Sequence, residues 1–300
     1  MIDVHSLIWE CNGIRLEFSN EADARIFADL DNVVSNASGV FDRRSAPGVD
    51  GTRTYAAALS GAQIALEGTV LAYNMGSRSR SVDRVLSEYR RQLCDAFNPR
   101  FTGKLIKTTE TGRFFLYARA VSTPGFGIIS GGTLPFSVDL YADDPYWHSD
   151  EMAEIQLGVS SAYQTFPAEI SGEMGDVLSI QTYIPNQSKN EIYPVVRFWP
   201  CANTQILRNV TTGKKLVLNT RITDGFYVDV DTDPAENTVT LWRKTEQGYE
   251  GIDNVTYWLT LDSTPDFYLQ PGENLLRVDN AVAGAYPSVT LLWYERELGV

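Results

Sequence analysis

Two histidines, His5 and His148, are all the chain offers as an imidazole base. A serine or cysteine nucleophile of the usual kind needs such a base within hydrogen-bonding reach, and the base needs a group to orient it. His5 belongs to the N-terminal segment. His148 closes the turn-like run Pro145-Tyr146-Trp147-His148, with Asp143, Asp144 and Asp150 near it in sequence. A structural or solvated role is therefore expected for His148. Cys11, Cys94 and Cys201 are odd in number, widely spaced and free of any CxxC or Cys/His clustering. They read as buried thiols rather than a disulfide framework or a metal set. No nucleophile elbow, phosphate-binding loop, dinucleotide fingerprint or HExxH motif occurs.

Carboxylates are more numerous. Asp229, Asp231 and Asp233 alternate, which places them on one face of a strand, and with Glu236 they form an oxygen set of the kind a hard cation takes. The spacing and glycine of an EF-hand loop are missing, so a solvated sheet edge guarded by charge is the preferred reading. A carboxylate pair for glycoside hydrolysis stays open on residue types alone. The aromatic set Trp242, Tyr249, Tyr257, Trp258, Phe267 and Tyr268 could stack on sugar rings, with Trp242 and Trp258 as the candidate glycan contacts. The competing reading is core packing, since β-sandwiches fill their interiors with aromatic rings. No catalytic residue, cofactor or metal ligand is expected, and the chain reads as a non-enzyme.

The elements that would carry these residues follow from patterning. At 300 residues and 43% hydrophobic content, the chain can bury two cores. No apolar run approaches the roughly 20 residues of a membrane-spanning helix. The start Met1-Ile2-Asp3-Val4-His5 lacks a basic flank before an apolar stretch, so cytoplasmic synthesis without a secretory leader is expected. The formal net charge of −13, concentrated in the second half, argues against specific nucleic-acid binding.

Residues 7–18 read as two strands joined at Asn12-Gly13, a favoured two-residue hairpin turn. Ala and acidic residues between Asn20 and Leu30 read as a short helix, and 31–52 as a loop. Residues 52–59 and 62–73 read as two extended segments joined at Ser60-Gly61. Val82, Val85, Leu86, Tyr89, Leu93 and Phe97 form one apolar stripe, predicting an amphipathic helix over 82–97, N-capped by Ser81 and stopped by Asn98-Pro99. Strands are expected at 104–108, 113–121 and 134–141, with a domain boundary near 148/149. Beyond it, extended candidates recur at roughly 8–12-residue spacing, the pattern of a β-sandwich. They fall at 177–183, 195–199, 204–209, 214–218, 226–231, 238–243, 255–260, 274–278 and 288–296. The fold class read from this is mainly β: residues 1–148 a β domain with one amphipathic helix, and 149–300 a jelly-roll-type β-sandwich.

Several short motifs recur in a fixed order. Arg44-Ser45-Ala46-Pro47-Gly48-Val49-Asp50-Gly51 precedes Ile64-Ala65-Leu66-Glu67-Gly68-Thr69-Val70. The helix follows, then Phe97-Asn98-Pro99-Arg100-Phe101-Thr102-Gly103-Lys104-Leu105, and Phe136-Ser137-Val138-Asp139-Leu140-Tyr141-Ala142-Asp143-Asp144-Pro145-Tyr146-Trp147. The second half adds Asn209-Val210-Thr211-Thr212-Gly213-Lys214-Lys215-Leu216-Val217-Leu218-Asn219, Asp224-Gly225-Phe226-Tyr227-Val228-Asp229-Val230-Asp231-Thr232 and Tyr268-Leu269-Gln270-Pro271-Gly272-Glu273-Asn274. In that order, over nearly the full length, the chain resembles the distal tail proteins of siphovirus-type bacteriophages. Phe226 after Gly225 departs from the more polar turn expected there.

The resemblance implies a virion protein of the phage tail tip. Its N-terminal domain would build a homohexameric ring, and its C-terminal sandwich would be galectin-like or similar to a carbohydrate module. The ring would join the major tail tube protein to the tail-associated tip protein and let DNA pass through its lumen. The sandwich would dock a receptor-binding protein or touch cell-wall saccharide. No membrane insertion is implied. The alternative reading makes the sandwich a carbohydrate-binding module for host cell-wall glycan.

Overall fold

The computed structural model describes residues 4–21, 23–30, 33, 35–45, 50–72, 81–158, 178–201, 204–281 and 289–300. It is mainly β, with one α-helix among the described residues. The chain divides into two compact units, Met1–Asp150 together with Glu297–Val300, and Glu151–Arg296. The last four residues, which the sequence reading leaves with the second half, cluster with the first.

The first unit contains β1 (Val4–Cys11), β2 (Ile14–Phe18), β3 (Ile26–Ala28), β4 (Ser35–Arg44), β5 (Arg53–Leu71), α1 (Val82–Ala96), β6 (Gly103–Thr109), β7 (Gly112–Ala120), β8 (Gly125–Phe126), β9 (Thr133–Ala142) and the start of β10 (Trp147–Leu157). One antiparallel layer runs β10-β7-β6-β1-β2, and in the other β5 pairs with β3, β4 and β9. Asn12 and Gly13 both take positive φ, as a tight right-twisting hairpin requires, and the β1–β2 hairpin is as read from sequence. Alternation aims Leu7, Trp9 and Cys11 of β1, Leu105 of β6, and Leu116 and Ala118 of β7 into one core. Ile64 and Leu66 of β5, Val138 and Leu140 of β9, and Leu86 and Leu93 of α1 join them.

Helix α1 closes this core. The Trp9 indole stacks on Phe97 with centroids 5.2 Å apart, and its Nε1–H donates to Ala96 O at 2.8 Å. Gly103 lies under that indole: a Cβ there would come within 2.3 Å of Trp9 Cζ2. Ser81 occupies the N-cap position with Asp83 in the first turn, but its side chain makes no capping bond. Val82, assigned to the buried stripe, is exposed because it precedes the turn that first meets the sheet.

Four local readings are corrected here. The helix expected between Asn20 and Leu30 is instead a segment containing β3, because Ile26–Ala28 pairs with Val70–Gly68 of β5. The loop expected over 31–52 contains β4, whose composition is loop-like because nearly all of its side chains face solvent. Ser60-Gly61 is no turn: β5 runs through it for 19 residues. Gly61 is needed there because a Cβ would meet Tyr141 Oη at 2.4 Å. Finally, 147–149 belong to β10, where His148 and Ser149 pair with Phe115 and Phe114 of β7.

The second unit contains the later part of β10 and β11 (Leu178–Asn186), β12 (Val195–Phe198), β13 (Gln205–Asn209), β14 (Lys215–Leu218), β15 (Phe226–Asp231), β16 (Val239–Thr245), β17 (Gly248–Asn254), β18 (Gly272–Ala281) and β19 (Val289–Glu297). Two layers, β17-β16-β15-β12-β19 and β11-β18-β13-β14, enclose one core. Val196, Phe198, Val228, Val230 and Leu291 come from the first layer, and Ile184, Leu207, Leu216, Leu276 and Val278 from the second. This is a β-sandwich, as expected. The strand read over 255–260 is instead a single 3-10 turn, Thr256–Trp258, and β17 was not foreseen because all seven of its residues are exposed.

Candidate functional site

Two surfaces stand out, one in each unit. In the first unit, β5 pairs with β9 only from Ala62 to Leu71. Its preceding residues, from Arg53, pair with β4 alone, and β4 pairs with nothing else among the described residues. The result is a two-stranded ribbon, Gly39–Arg44 against Arg53–Leu59, exposed on both faces. Val40, Phe41, Tyr55 and Leu59 are all exposed large hydrophobics, Tyr55 by 60%. The Phe41 ring folds over Gly39, where a Cβ would clash at 2.6 Å, and the Arg43 guanidinium sits 4.6 Å above that ring. Arg44 and Arg53 both lie over Tyr55. An isolated two-stranded ribbon is marginal in water, and unpaired strand edges with apolar faces are docking surfaces. The motif Arg44–Gly51 starts at the end of β4, and its residues 46–49 lie outside the described residues.

In the second unit, the face of β12-β15-β16-β17 opposite the core is not simply solvated. Tyr227 of β15 is its centre. Trp242 of β16 stacks on Tyr227 at 6.0 Å and 16°, Tyr249 of β17 tilts against it at 4.7 Å, and Trp199, just past β12, at 5.4 Å. The Arg197 guanidinium lies 4.1 Å from the Tyr227 centroid and donates twice to Asp229, at 2.8 and 3.0 Å. Burial raises the Asp229 carboxyl above its ordinary pKa, against the lowering pull of Arg197. Burial disfavours the Arg197 charge in turn, and Asp229 more than restores it. Burial, then the Asp229 charge, raises the Tyr227 phenol.

Trp242 and Trp258, the two residues read as glycan contacts, are not brought together into this cluster. Trp242 is part of it, with its Nε1 enclosed and without a hydrogen-bond partner among the described residues. Trp258 sits on the 3-10 turn, packs against the sandwich core and touches Tyr257 edge-on. Tyr227, Tyr249, Trp199 and Arg197 complete the cluster. Arg197 and Tyr227 carry a signal in the alternation of Arg197 with core residues Val196 and Phe198 and of Tyr227 with Phe226 and Val228, Tyr249 is among the aromatics named from sequence, and Trp199 carries no local signal.

The remaining candidates have structural partners. His148 Nε2 is 2.9 Å from Asp144 Oδ2, and its ring stacks on Phe115. The Asp229–Asp231–Asp233 set is not a guarded sheet edge, because β15 lies between β12 and β16. Asp229 is committed to Arg197, and Asp231 accepts from the Asp233 backbone N–H at 3.0 Å. Among the described residues, no group of three His, Cys, Asp or Glu side chains is placed to hold a metal ion. Cys11 and Cys201 are buried, and Cys94 is half-buried. His5 is described only through its backbone in β1.

The sequence matches no protein-family model and no curated protein. Its fold does match solved structures. The chain is similar to the SPP1 Dit protein (gp 19.1), described as a paradigm of the hub adsorption apparatus in phages infecting Gram-positive hosts. The TM-score is 0.58 at 14% identity, over 97% of this chain and 99% of that one. It is also similar to a chain of the phage P2 baseplate in its activated conformation with Ca, with TM-score 0.51 at 11% identity, over 98% and 99% of the two chains. Across its whole length, the chain has the fold of a phage distal-tail hub protein.

Proposed function

We propose that the chain is a structural hub of a phage tail tip that assembles with its own copies into a closed ring, six chains in the reading the resemblance implies. The full-length likeness to a hub adsorption protein is the observation that carries this. The exposed ribbon of the first unit supplies a means of self-association, since one copy's ribbon and another copy's surface make a heterologous contact that can close. The ring would join the tail tube protein to the tail-associated tip protein. The acidic balance of the chain favours passage of DNA through a lumen without adhesion. The role is non-enzymatic, a reading supported by the structural engagement of His148 and the Asp229 carboxylate. Negative-stain images of the concentrated chain test it: annular particles with a central opening are expected, and a field of single small particles contradicts the ring.

A second reading is favoured by one observation, the aromatic cluster around Trp242. Ring faces stack on the C–H face of a pyranose, and the neighbouring Arg197–Asp229 pair offers both donors and acceptors to hydroxyls. In this reading the sandwich binds cell-wall polysaccharide. Intrinsic fluorescence of the full chain titrated with purified wall polysaccharide should then shift, the shift should vanish in Trp242→Ala, and it should persist in Trp258→Ala. An unchanged spectrum for the parent chain removes the reading.

A further inference from the structure

The outer face of the layer β11-β18-β13-β14 carries an arrangement that sheet energetics disfavours. In register, Gln181 of β11 stands opposite Arg277 of β18, Arg277 opposite Arg208 of β13, and Arg208 opposite Lys215 of β14. The alternation that turns Leu276, Val278, Leu207 and Leu216 into the core turns this row to the other face. Like charges directly opposite one another in adjacent strands cost stability. Three cations nevertheless stand side by side here, in a half of the chain with twice as many acidic as basic side chains.

One carboxylate anchors the row. Asp279 Oδ2 accepts from Arg208 Nε at 3.0 Å, and Oδ1 accepts from Arg277 Nε at 2.5 Å. The Asp279 side chain is 14% exposed, whereas the two arginine side chains are 41% and 42% exposed. Each guanidinium is thus held by its Nε edge, and its Nη groups make no hydrogen bond among the described residues. Lys215 reaches Asp262 at 3.7 Å, but that carboxylate is 79% exposed and the pair is weak. Glu273, the next carboxylate on the same side of β18, lies two rows away.

The geometry points to a binding site for the phosphodiester groups of a polyol phosphate chain. Arg208 and Arg277 fork onto one phosphate, and Lys215 and Gln181 flank it. A guanidinium presents parallel N–H donors that match two phosphate oxygens, and Asp279 fixes the orientation of both forks. At strand spacing the three cations span roughly 10 Å, which suits one phosphate at a time. The face is an open sheet without walls. Small free ions are held in concave enclosures, whereas a chain can lie across such a face. Nucleic acid fits less well, because its binding rests on many neutralised phosphates and on rings that stack bases. Here the surrounding charge is negative, and Tyr183 is the exposed ring on the adjoining row. The site lies on the layer opposite the Trp242 cluster and depends on neither reading given above.

Fluorescence anisotropy of end-labelled poly(glycerol phosphate), titrated with the full chain, tests the site. Saturable binding is expected, weakening as salt is raised. Arg208→Gln should lower the affinity roughly tenfold, while Arg277 keeps Asp279 partnered. Gln181 is exposed, and its replacement disturbs no ion pair. Gln181→Arg should tighten binding and Gln181→Glu should weaken it, a pair of opposite effects that a folding defect does not produce. Lys244→Gln removes the same charge from the opposite layer and should leave the affinity unchanged. Unaltered anisotropy with the parent chain overturns the site, and so does an affinity indifferent to Arg208 and Gln181. Labelled oligothymidylate of equal phosphate number that binds as tightly through the same residues overturns the polyol phosphate assignment in favour of nucleic acid. Inorganic phosphate that competes as well per phosphate as the polymer also overturns it, leaving an adventitious ion only.

Discussion

The ammonium of Lys107 donates to the backbone carbonyl of Val300, 193 residues further along the chain. It also donates to Val33 O at 3.3 Å and lies 5.8 Å from the centroid of the Trp147 ring, with only 4% of the residue exposed. Inward-facing on β6 among Leu105, Leu116 and Trp147, this lysine is tolerated because carbonyls solvate its charge in place of water. The end of the chain is thereby part of the first unit's core, and Val300 packs against it.

Removing residues 297–300 therefore deprives a buried cation of an acceptor. A loss of about 2–4 kcal/mol is expected. Guanidinium unfolding of the full-length and shortened chains measures it. Lys107→Met in the shortened chain should recover part of that loss, whereas the same change in the full-length chain should not stabilise as much. Equal effects in both backgrounds would show that the Lys107–Val300 contact carries nothing.

Gly103→Ala tests how the helix is seated. The added methyl would meet the Trp9 ring, which is held on both sides by Phe97 and by its bond to Ala96 O. Overpacking of this kind costs roughly 1–3 kcal/mol. A lowered midpoint in chemical denaturation should be accompanied by a change in Trp9 fluorescence, since the indole must shift.

Gln205 on β13 is 0% exposed, and neither amide atom has a partner among the described residues. Replacing it with Met keeps the length of the side chain and removes two unsatisfied polar atoms. Gln205→Met should stabilise the chain by about 1–2 kcal/mol, read as a higher unfolding midpoint at unchanged slope. A lower midpoint would mean that the amide is held by a buried water.

Asp231 gives a pH dependence with a definite sign. Burial, then the charges of Asp233, Glu236 and Asp229, raises its carboxyl, while the Asp233 backbone N–H opposes the rise. A carboxylate whose folded pKa lies above its unfolded value binds protons more readily when folded. Its charge therefore costs stability at neutral pH, and the cost disappears as pH falls from above the folded pKa to below the ordinary value of 3.8. Asp231→Asn keeps an oxygen for the Asp233 N–H and removes the charge. The variant should be more stable than the parent at pH 7, with the gap narrowing toward pH 3. A gap that widens on acidification would contradict the raised pKa.

Much of the fold is legible because one face of most strands is buried. The alternation of Val196 and Phe198 with Arg197, or of Val228 and Val230 with Asp229, carries both element and register. Alternation conveys nothing where neither face is buried: β4, with nearly every residue exposed, reads as loop for that reason, and β17, wholly exposed, gives no strand signal. Ser60-Gly61 has turn composition, yet the chain continues straight because Tyr141 occupies the space a side chain would need. Trp242 is recognisable as a surface aromatic. The cluster around it is not, because Trp199, Tyr227 and Tyr249 reach it from three other segments whose pairing no local pattern specifies.

Light scattering of the full chain over a wide concentration range tests the central claim most directly. A ring-forming hub should give a species that reaches six times the 33.4 kDa chain mass and then stops growing. A mass that stays at one chain, or that climbs without limit as an open polymer would, contradicts a closed ring.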